Sequence, residues 1–256
     1  MKIVWQVDSD DVAKVKAFYD KHCDNRLVQN RIRTNLADGK SAITKPVFWR
    51  CMVRCLLTTQ QRSGPNSQVS RFIATNPPLL SYQICDEQDD LAEFARSAIS
   101  RGGLRRSTII GKELAANLSF LNKGGWKPTT QHLDKVRLNS STKTERLAAE
   151  RLAAEFIDRS FKGFGPKQSR NLLQILGLSR YEIPIDSRIT KWLNEFGFPV
   201  ELTAQALQDC NYYNFVSDGF QRLCEACKIT PCVLDAVIFS SFDKGKWTKE
   251  NVEDRG

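Results

Sequence analysis

Residues 161–177 read Phe-Lys-Gly-Phe-Gly-Pro-Lys-Gln-Ser-Arg-Asn-Leu-Leu-Gln-Ile-Leu-Gly, and few backbone paths accommodate them. Gly163 and Gly165 admit the conformations of a tight hairpin that a Cβ would resist. Pro166 suits the first position of a helix, where its missing N–H would be unpaired anyway. A helix is predicted before this stretch, from 144 to about 159, and an apolar-periodic helix after it. The product is helix, Gly-Phe-Gly hairpin, helix. Such a hairpin presents backbone amides at a helix N-terminus, a site suited to a DNA phosphate.

The rest of the 256 residues reads as almost entirely helical. Asp8-Ser9-Asp10-Asp11 can cap a helix over 12–19, and 46–57 is an apolar-rich core helix. Residues 64–67 make a turn and a new cap, Asn76-Pro77-Pro78 ends the helix that follows, and the acidic run 86–90 opens another. Gly102-Gly103 is a turn leading into a helix from Ser107, and 124–128 reads as a loop. Only 2–7 looks strand-like, and the polar tail after Lys249 is expected to fray. The repeated Arg-Leu-Ala-Ala-Glu at 146–150 and 151–155 is Ala-rich helix rather than a solenoid period.

Composition excludes some classes and favours one. No apolar run approaches the ~18 residues of a membrane span, and the first residues turn acidic too early for a secretory segment. Eight cysteines at irregular spacing do not form a small disulfide scaffold, so reduced thiols in the cytoplasm are expected. Lys and Arg number 38 against 29 Asp and Glu, a net charge of +9. That excess favours a polyanionic partner, although scattered basic residues would give the same sum.

Lys167 stands one residue after Pro166, in the first turn of the second hairpin helix. The positive end of the helix dipole disfavours an ammonium ion there, and partial desolvation in a cleft would disfavour it further. A neutral lysine is a usable nucleophile. Nineteen residues on, Pro184-Ile185-Asp186 places a carboxylate just before a helix over 189–196. An amine and a carboxylate at two helix starts can face each other across a cleft. Each also has a plainer role: Lys167 as a phosphate contact, Asp186 as an N-cap.

Gly163-Phe-Gly-Pro-Lys167 followed by Pro184-Ile-Asp186 resembles the signature of the helix-hairpin-helix DNA glycosylases, which include endonuclease III and the 8-oxoguanine glycosylases. The resemblance implies that Lys167 attacks C1′ and that Asp186 stabilises the developing sugar cation. A lysine here implies a bifunctional enzyme, base excision being followed by strand cleavage through a Schiff base. It further implies an all-α protein of two helical lobes with the active site in the cleft between them. One lobe would span 46–177 as a helical barrel; the other would combine 1–45 with 178–256. Leu56-Leu57-Thr58-Thr59-Gln60-Gln61 is similar to the family segment whose amide fills the gap left by a flipped base, with Gln60 or Gln61 as the filler. Gly163, Gly165, Arg105 and Arg188 join them as DNA-binding candidates, and Lys191 could meet phosphate or solvent.

Other residues invite different chemistry. Cys210, Cys224, Cys227 and Cys232 suggest an iron–sulfur cluster, but their C-x13-C-x2-C-x4-C spacing departs from the C-x6-C-x2-C-x5-C of endonuclease III-like proteins. No cofactor or metal is therefore expected. Phe242 and Trp247 are the base-pocket candidates; Phe239 is assigned to the core, and Tyr212 and Tyr213 could also stack on a base. The expected partner is double-stranded DNA with a modified base, bound by a monomer. The lysine, the 19-residue spacing and the unmatched cysteines favour an 8-oxoguanine-like substrate. A hypermodified phage base, processed in defence, and a noncatalytic DNA-binding role are the alternatives.

Overall fold

In the computed structural model, which describes residues 4–138, 142–243 and 245–248, the chain folds into thirteen α-helices among those residues, with short 3₁₀ turns at 78–80 and 206–208. They are α1 (Ser9–His22), α2 (Arg26–Asn35), α3 (Lys45–Leu57), α4 (Gln68–Ala74), α5 (Tyr82–Asp86), α6 (Leu91–Arg101) and α7 (Ser107–Phe120). After them come α8 (Trp126–Leu138), α9 (Lys143–Ser160), α10 (Pro166–Ile175), α11 (Ser187–Phe196), α12 (Cys210–Cys227) and α13 (Pro231–Ser241). Polar side chains set most of the starts. Asp8 accepts the amides of Asp10 and Asp11 while Asp11 reaches back to the Asp8 N–H, closing a capping box on α1. Thr142 and Glu145 do the same for α9, and Ser67 and Asp90 cap α4 and α6.

Two hydrophobic cores organise these helices. The first draws on residues from Phe48 to Leu178 and is centred on α3, where Phe48, Trp49, Met52, Val53, Leu56 and Leu57 are wholly buried. The second combines Val15, Leu27 and Val28 from the N-terminal helices with residues from Ile183 to Trp247. The chain thus starts in one core, builds the other, and returns. α2 packs on α13, and α10 packs on both α3 and α9. No described helix is long and apolar enough to cross a membrane.

Two expectations are corrected. Residues 4–7 form no strand: Trp5 instead packs its ring 5.0 Å from Phe198 and 4.7 Å from Phe215. Residues 2 and 3 and the tail after Lys249 lie outside the described residues. Residues 124–128 are irregular only at their start: the helix breaks at Lys123 and Gly124, whose dihedrals are non-helical, and 126–128 already form the first turn of α8. Gly124 takes φ +97° at the kink, which only glycine adopts readily. Trp126 then anchors that turn edge-on to Phe48 at 5.6 Å. The break is two residues long, and the next helix starts at once.

The segment returning to the second core is fastened by Glu150, a buried residue of α9. Its carboxylate accepts the backbone N–H groups of Arg180, Tyr181 and Glu182 at 2.8, 2.8 and 2.9 Å, and that of the Arg146 guanidinium at 3.1 Å. Burial pushes this carboxyl up from its ordinary range, against the pull of those amides. Glu150→Ala would leave one buried and two part-buried amides without this acceptor and remove the Arg146 ion pair. A loss of roughly 3–5 kcal/mol in unfolding free energy is expected, measured by urea denaturation.

Candidate active site

The hairpin is held from below. Asn117 of α7 donates to the Lys162 carbonyl at 3.0 Å and accepts the Lys162 N–H at 2.7 Å. Phe161 and Phe164 bury their rings in the first core, 6.2 Å apart. The two hairpin glycines serve different needs. Gly163 has φ +81°, and a Cβ there would stand 2.6 Å from Glu113 and Leu56. Gly165 is extended, with φ −117° and ψ −172°, a conformation open to any residue, so its expected conformational role is not observed. A Cβ at Gly165 would meet nothing within 4 Å, and the surface there lies open.

Pro166 is the first residue of α10, and no side chain caps that end. Lys167 is half-buried, and its Nζ donates to Gln168 Oε1 at 3.3 Å. Gln168 is held by its own Nε2, which donates to the Cys55 carbonyl at 2.9 Å and to Thr59 Oγ1 at 2.8 Å. Asn171 donates to the same Oε1 at 3.1 Å. Neither Gln168 nor Asn171 carried a sequence signal beyond nearness to the lysine.

Asp186 is the N-cap of α11, its Oδ1 accepting the N–H groups of Arg188 at 2.9 Å and Ile189 at 3.1 Å. The cap orients the carboxylate and does not consume it, since Oδ2 takes no part in these bonds. Ile183, Pro184 and Ile185 before it are buried. Tyr213 grips them: its hydroxyl accepts the Ile185 N–H at 2.6 Å and donates to the Ile183 carbonyl at 2.9 Å. Tyr213, read from sequence as a stacking candidate, is instead wholly buried. Lys167 and Asp186, rooted in different cores, line one cavity of about 730 Å³.

That cavity holds groups sequence reasoning missed. Asp235 of α13 is buried in its wall, where Gln174 Nε2 donates to Oδ2 at 2.7 Å and Arg31 Nη1 lies 3.6 Å from the same oxygen. Burial pushes its carboxyl up to about 7; Arg31 pulls it back, Asp186 pushes it further up, and Gln174 and Lys167 pull it down. Phe239 lines the cavity, whereas Phe242 and Trp247 do not. Phe242 ends α13 beneath Lys191, which lies 5.6 Å from its ring centre, and Trp247 is buried in the second core. An Asp and a Phe one helical turn apart on an apolar helix look like ordinary core positions, so only packing distinguishes them.

The remaining candidates separate clearly. Gln61 is engaged at both ends of its amide, donating to the Leu57 carbonyl at 2.6 Å and accepting the Arg105 N–H at 3.1 Å. Gln60 is exposed and adopts φ +56° beside it, and Arg105 is exposed on the same rim. Arg188 does not face outward: its guanidinium pairs with both oxygens of Asp243 at 2.9 and 3.0 Å and stacks 3.9 Å from the Phe239 ring centre. Lys191 is exposed and pairs with Glu195 at 3.7 Å, while Tyr212 reaches the Glu201 carbonyl at 3.4 Å. Cys224, Cys227 and Cys232 are buried in α12 and α13, Cys210 is half-buried, and burial pushes the Cys232 thiol up to about 12. Among the described residues no group of three or more metal-binding side chains is found.

No family model and no curated protein matches the sequence. Solved structures do. The 8-oxoguanine DNA glycosylase of Thermotoga maritima superposes with a TM-score of 0.67 over 93% of this chain and 99% of its own, at 13% identity. The 8-oxoguanine DNA glycosylase of Methanocaldococcus jannaschii gives 0.63 over 93% and 95%, at 16% identity. The glycosylase/lyase of that organism, in complex with a 15mer DNA containing 8-oxoguanine, gives 0.67 over 93% and 99%, at 14% identity. The chain therefore has the all-α fold of these 8-oxoguanine glycosylases over 93% of its length.

Two measurements follow from this geometry. Gly163→Ala combines a positive φ with a close contact and should cost more than about 1 kcal/mol in denaturant unfolding; Gly165→Ser, which supplies an N-cap, should cost little or add stability. For Asp235 the native carboxyl titrates near 7 against an ordinary value of 3.8, so the native state holds the proton longer. Its contribution to stability is full below pH ~4 and falls as pH rises through ~7. Asp235 is faced by Arg31, Lys167, Asp186 and Cys232, and relative to wild type Asp235→Asn should gain stability steadily across that window.

Proposed function

We propose that the protein is a bifunctional DNA glycosylase and AP lyase that excises a modified base. The observation that carries this is the meeting of Lys167 and Asp186 in one cavity beside an uncapped helix N-terminus. The hairpin amides bind a phosphate, which sets the flipped nucleotide's C1′ near Lys167. Lys167 Nζ attacks C1′, the glycosidic bond breaks, and its electron pair leaves with the base. Asp186 stabilises the oxocarbenium-like transition state and takes a proton from the amine. The C1′–O4′ bond then opens, its electron pair going to O4′, which takes up a proton, and leaves an imine on Lys167; loss of a C2′ proton drives β-elimination, which breaks the 3′ C–O bond and releases the phosphate. Gln60, exposed on the rim, fills the gap in the duplex, while Gln61 holds that rim to the Gly103–Arg105 turn.

The fold shared with 8-oxoguanine glycosylases supports an oxidised purine as substrate. A specific observation favours a second reading, a bulkier hypermodified base. The cavity of about 730 Å³ lies high in the range of ~300–1,000 Å³ that accommodates drug-sized ligands. At about 30 Å³ per non-hydrogen atom, the share of a water in the liquid, a bare purine of roughly eleven such atoms fills less than half of it.

Borohydride reduction with base-modified duplexes tests the chemistry. Wild-type protein should yield a covalent protein–DNA adduct, and Lys167→Gln should yield none. Asp186→Asn should slow excision by roughly 10²-fold or more, the scale for losing an electrostatic stabiliser. Full activity in Asp186→Asn, or trapping by Lys167→Gln, would refute the assigned roles.

A further inference from the structure

The cavity wall away from Lys167 contains two polar atoms with unmet hydrogen-bonding capacity. Gln174, 94% buried, uses its Nε2 on Asp235 and leaves Oε1 without a partner. Arg31 Nη1 from α2 is likewise buried without a hydrogen bond, 3.6 Å from Asp235. Both residues line the cavity together with Asp235, Thr34, Lys40 and Ser41. A buried donor or acceptor left unsatisfied forfeits the hydrogen bond it would make in water. Both atoms are covered in the cavity wall, so a small rotation of the two side chains presents them to a ligand that offers an acceptor to Arg31 and a donor to Gln174, and a hydroxyl group is both at once.

Backbone position sets Gln174 apart from the reacting end, while Asp235 stands between that end and Gln174, within reach of the charges of Lys167 and Asp186. Gln174 lies seven residues beyond Lys167 on the same helix, or about 10 Å along the axis at 1.5 Å per residue. The far edge of a purine lies only about four bonds, roughly 5 Å, from its glycosidic nitrogen at ordinary bond lengths. A base whose C1′ is at Lys167 ends short of the turn of α10 that carries Gln174. A substituent on that base reaches it.

We propose that Arg31, Gln174 and Asp235 form a second subsite that binds a hydroxyl-bearing substituent on the excised base. The substrate is then a base enlarged by a polar, sugar-like group, which occupies the half of the cavity a bare purine leaves. This deepens the base-excision reading and rests on it for the placement of C1′ at Lys167. Asp235, which hydrogen-bonds Gln174 and lies 3.6 Å from Arg31, holds both side chains at the subsite, and burial raises its carboxyl so that its protonated form can serve as a further donor.

The test measures binding and trapping separately. Lys167→Gln protein is titrated by fluorescence anisotropy with three duplexes, containing 8-oxoguanine, 5-hydroxymethylcytosine, or 5-hydroxymethylcytosine carrying a hexose on its hydroxyl. Binding of the hexosylated duplex at least 10-fold tighter than the hydroxymethyl duplex is expected. Adding Gln174→Leu, or Arg31→Gln should the first variant not fold, should abolish that preference and leave hydroxymethyl binding unchanged. Equal affinity for the two duplexes, or an equal loss on all three, overturns the subsite. Lys167-dependent borohydride trapping on 8-oxoguanine without a hexose preference would overturn the subsite and uphold excision. A hexose preference with no trapping on any duplex would do the reverse.

Discussion

The buried ion pair between Arg170 and Glu182 sets the geometry on which everything else rests. Arg170 Nε donates to Glu182 Oε2 at 2.5 Å, and neither side chain is exposed. Arg170 stands one turn after Lys167, and Glu182 four residues before Asp186, so this contact ties together the two helix starts that carry Lys167 and Asp186. Burial works to raise the Glu182 carboxyl, yet the guanidiniums of Arg170 and Arg151 hold it below its ordinary range. A buried pair is tolerated only when its remaining capacity is met. Arg151 donates two hydrogen bonds to Oε1, with Gln221 at 3.1 Å and Ser217 at 3.3 Å on the same atom. The Arg170 guanidinium also lies 4.3 Å from the ring centre of Tyr213, whose hydroxyl grips Ile183 and Ile185.

The consequence is a rigid cleft between two independently packed cores. α9 and α10 belong to the first core, α11 to α13 to the second, and the Glu150 and Glu182 carboxylates join them through backbone amides and guanidiniums. Preorganisation of this kind matters where two groups must act on one atom, because a misplacement of about 1 Å can cost 10²-fold in rate. Polar atoms collect at the cleft because apolar packing on either side is already complete. Arg31, Gln174 and Asp235 face the cavity from three different helices, α2, α10 and α13.

Much of this was legible in the chain. The hairpin, the placement of Pro166 and the all-helical pattern follow from glycine and proline chemistry and from helical periodicity. Lys167 and Asp186 were found because their spacing resembles a known signature, and the structure brings both to one cavity. Errors arose where local rules met tertiary packing. Gly124 does break the helix, yet the loop expected over 124–128 is cut short because Trp126, packed on Phe48, opens the next helix at once. Arg188 reads as a basic surface residue, yet Asp243, 55 positions away, takes its guanidinium. Phe242 and Trp247 stand amid polar residues and read as pocket candidates, yet Phe239 lines the cavity.

The hairpin thus marks the boundary between two kinds of information. By itself the sequence determined the turn at Gly163, the helix that begins at Pro166, and a lysine in its first turn, because these depend on dihedral limits and on a missing N–H within a few residues. Tertiary structure alone decided that Asp186 meets that lysine, that Tyr213 and Glu182 hold it there, and that Asp235 joins the cavity. Those contacts link residues from 12 to more than 100 positions apart, and no local preference encodes them. They exist because burial of two cores leaves the polar groups between them no partners except one another and whatever enters the cleft.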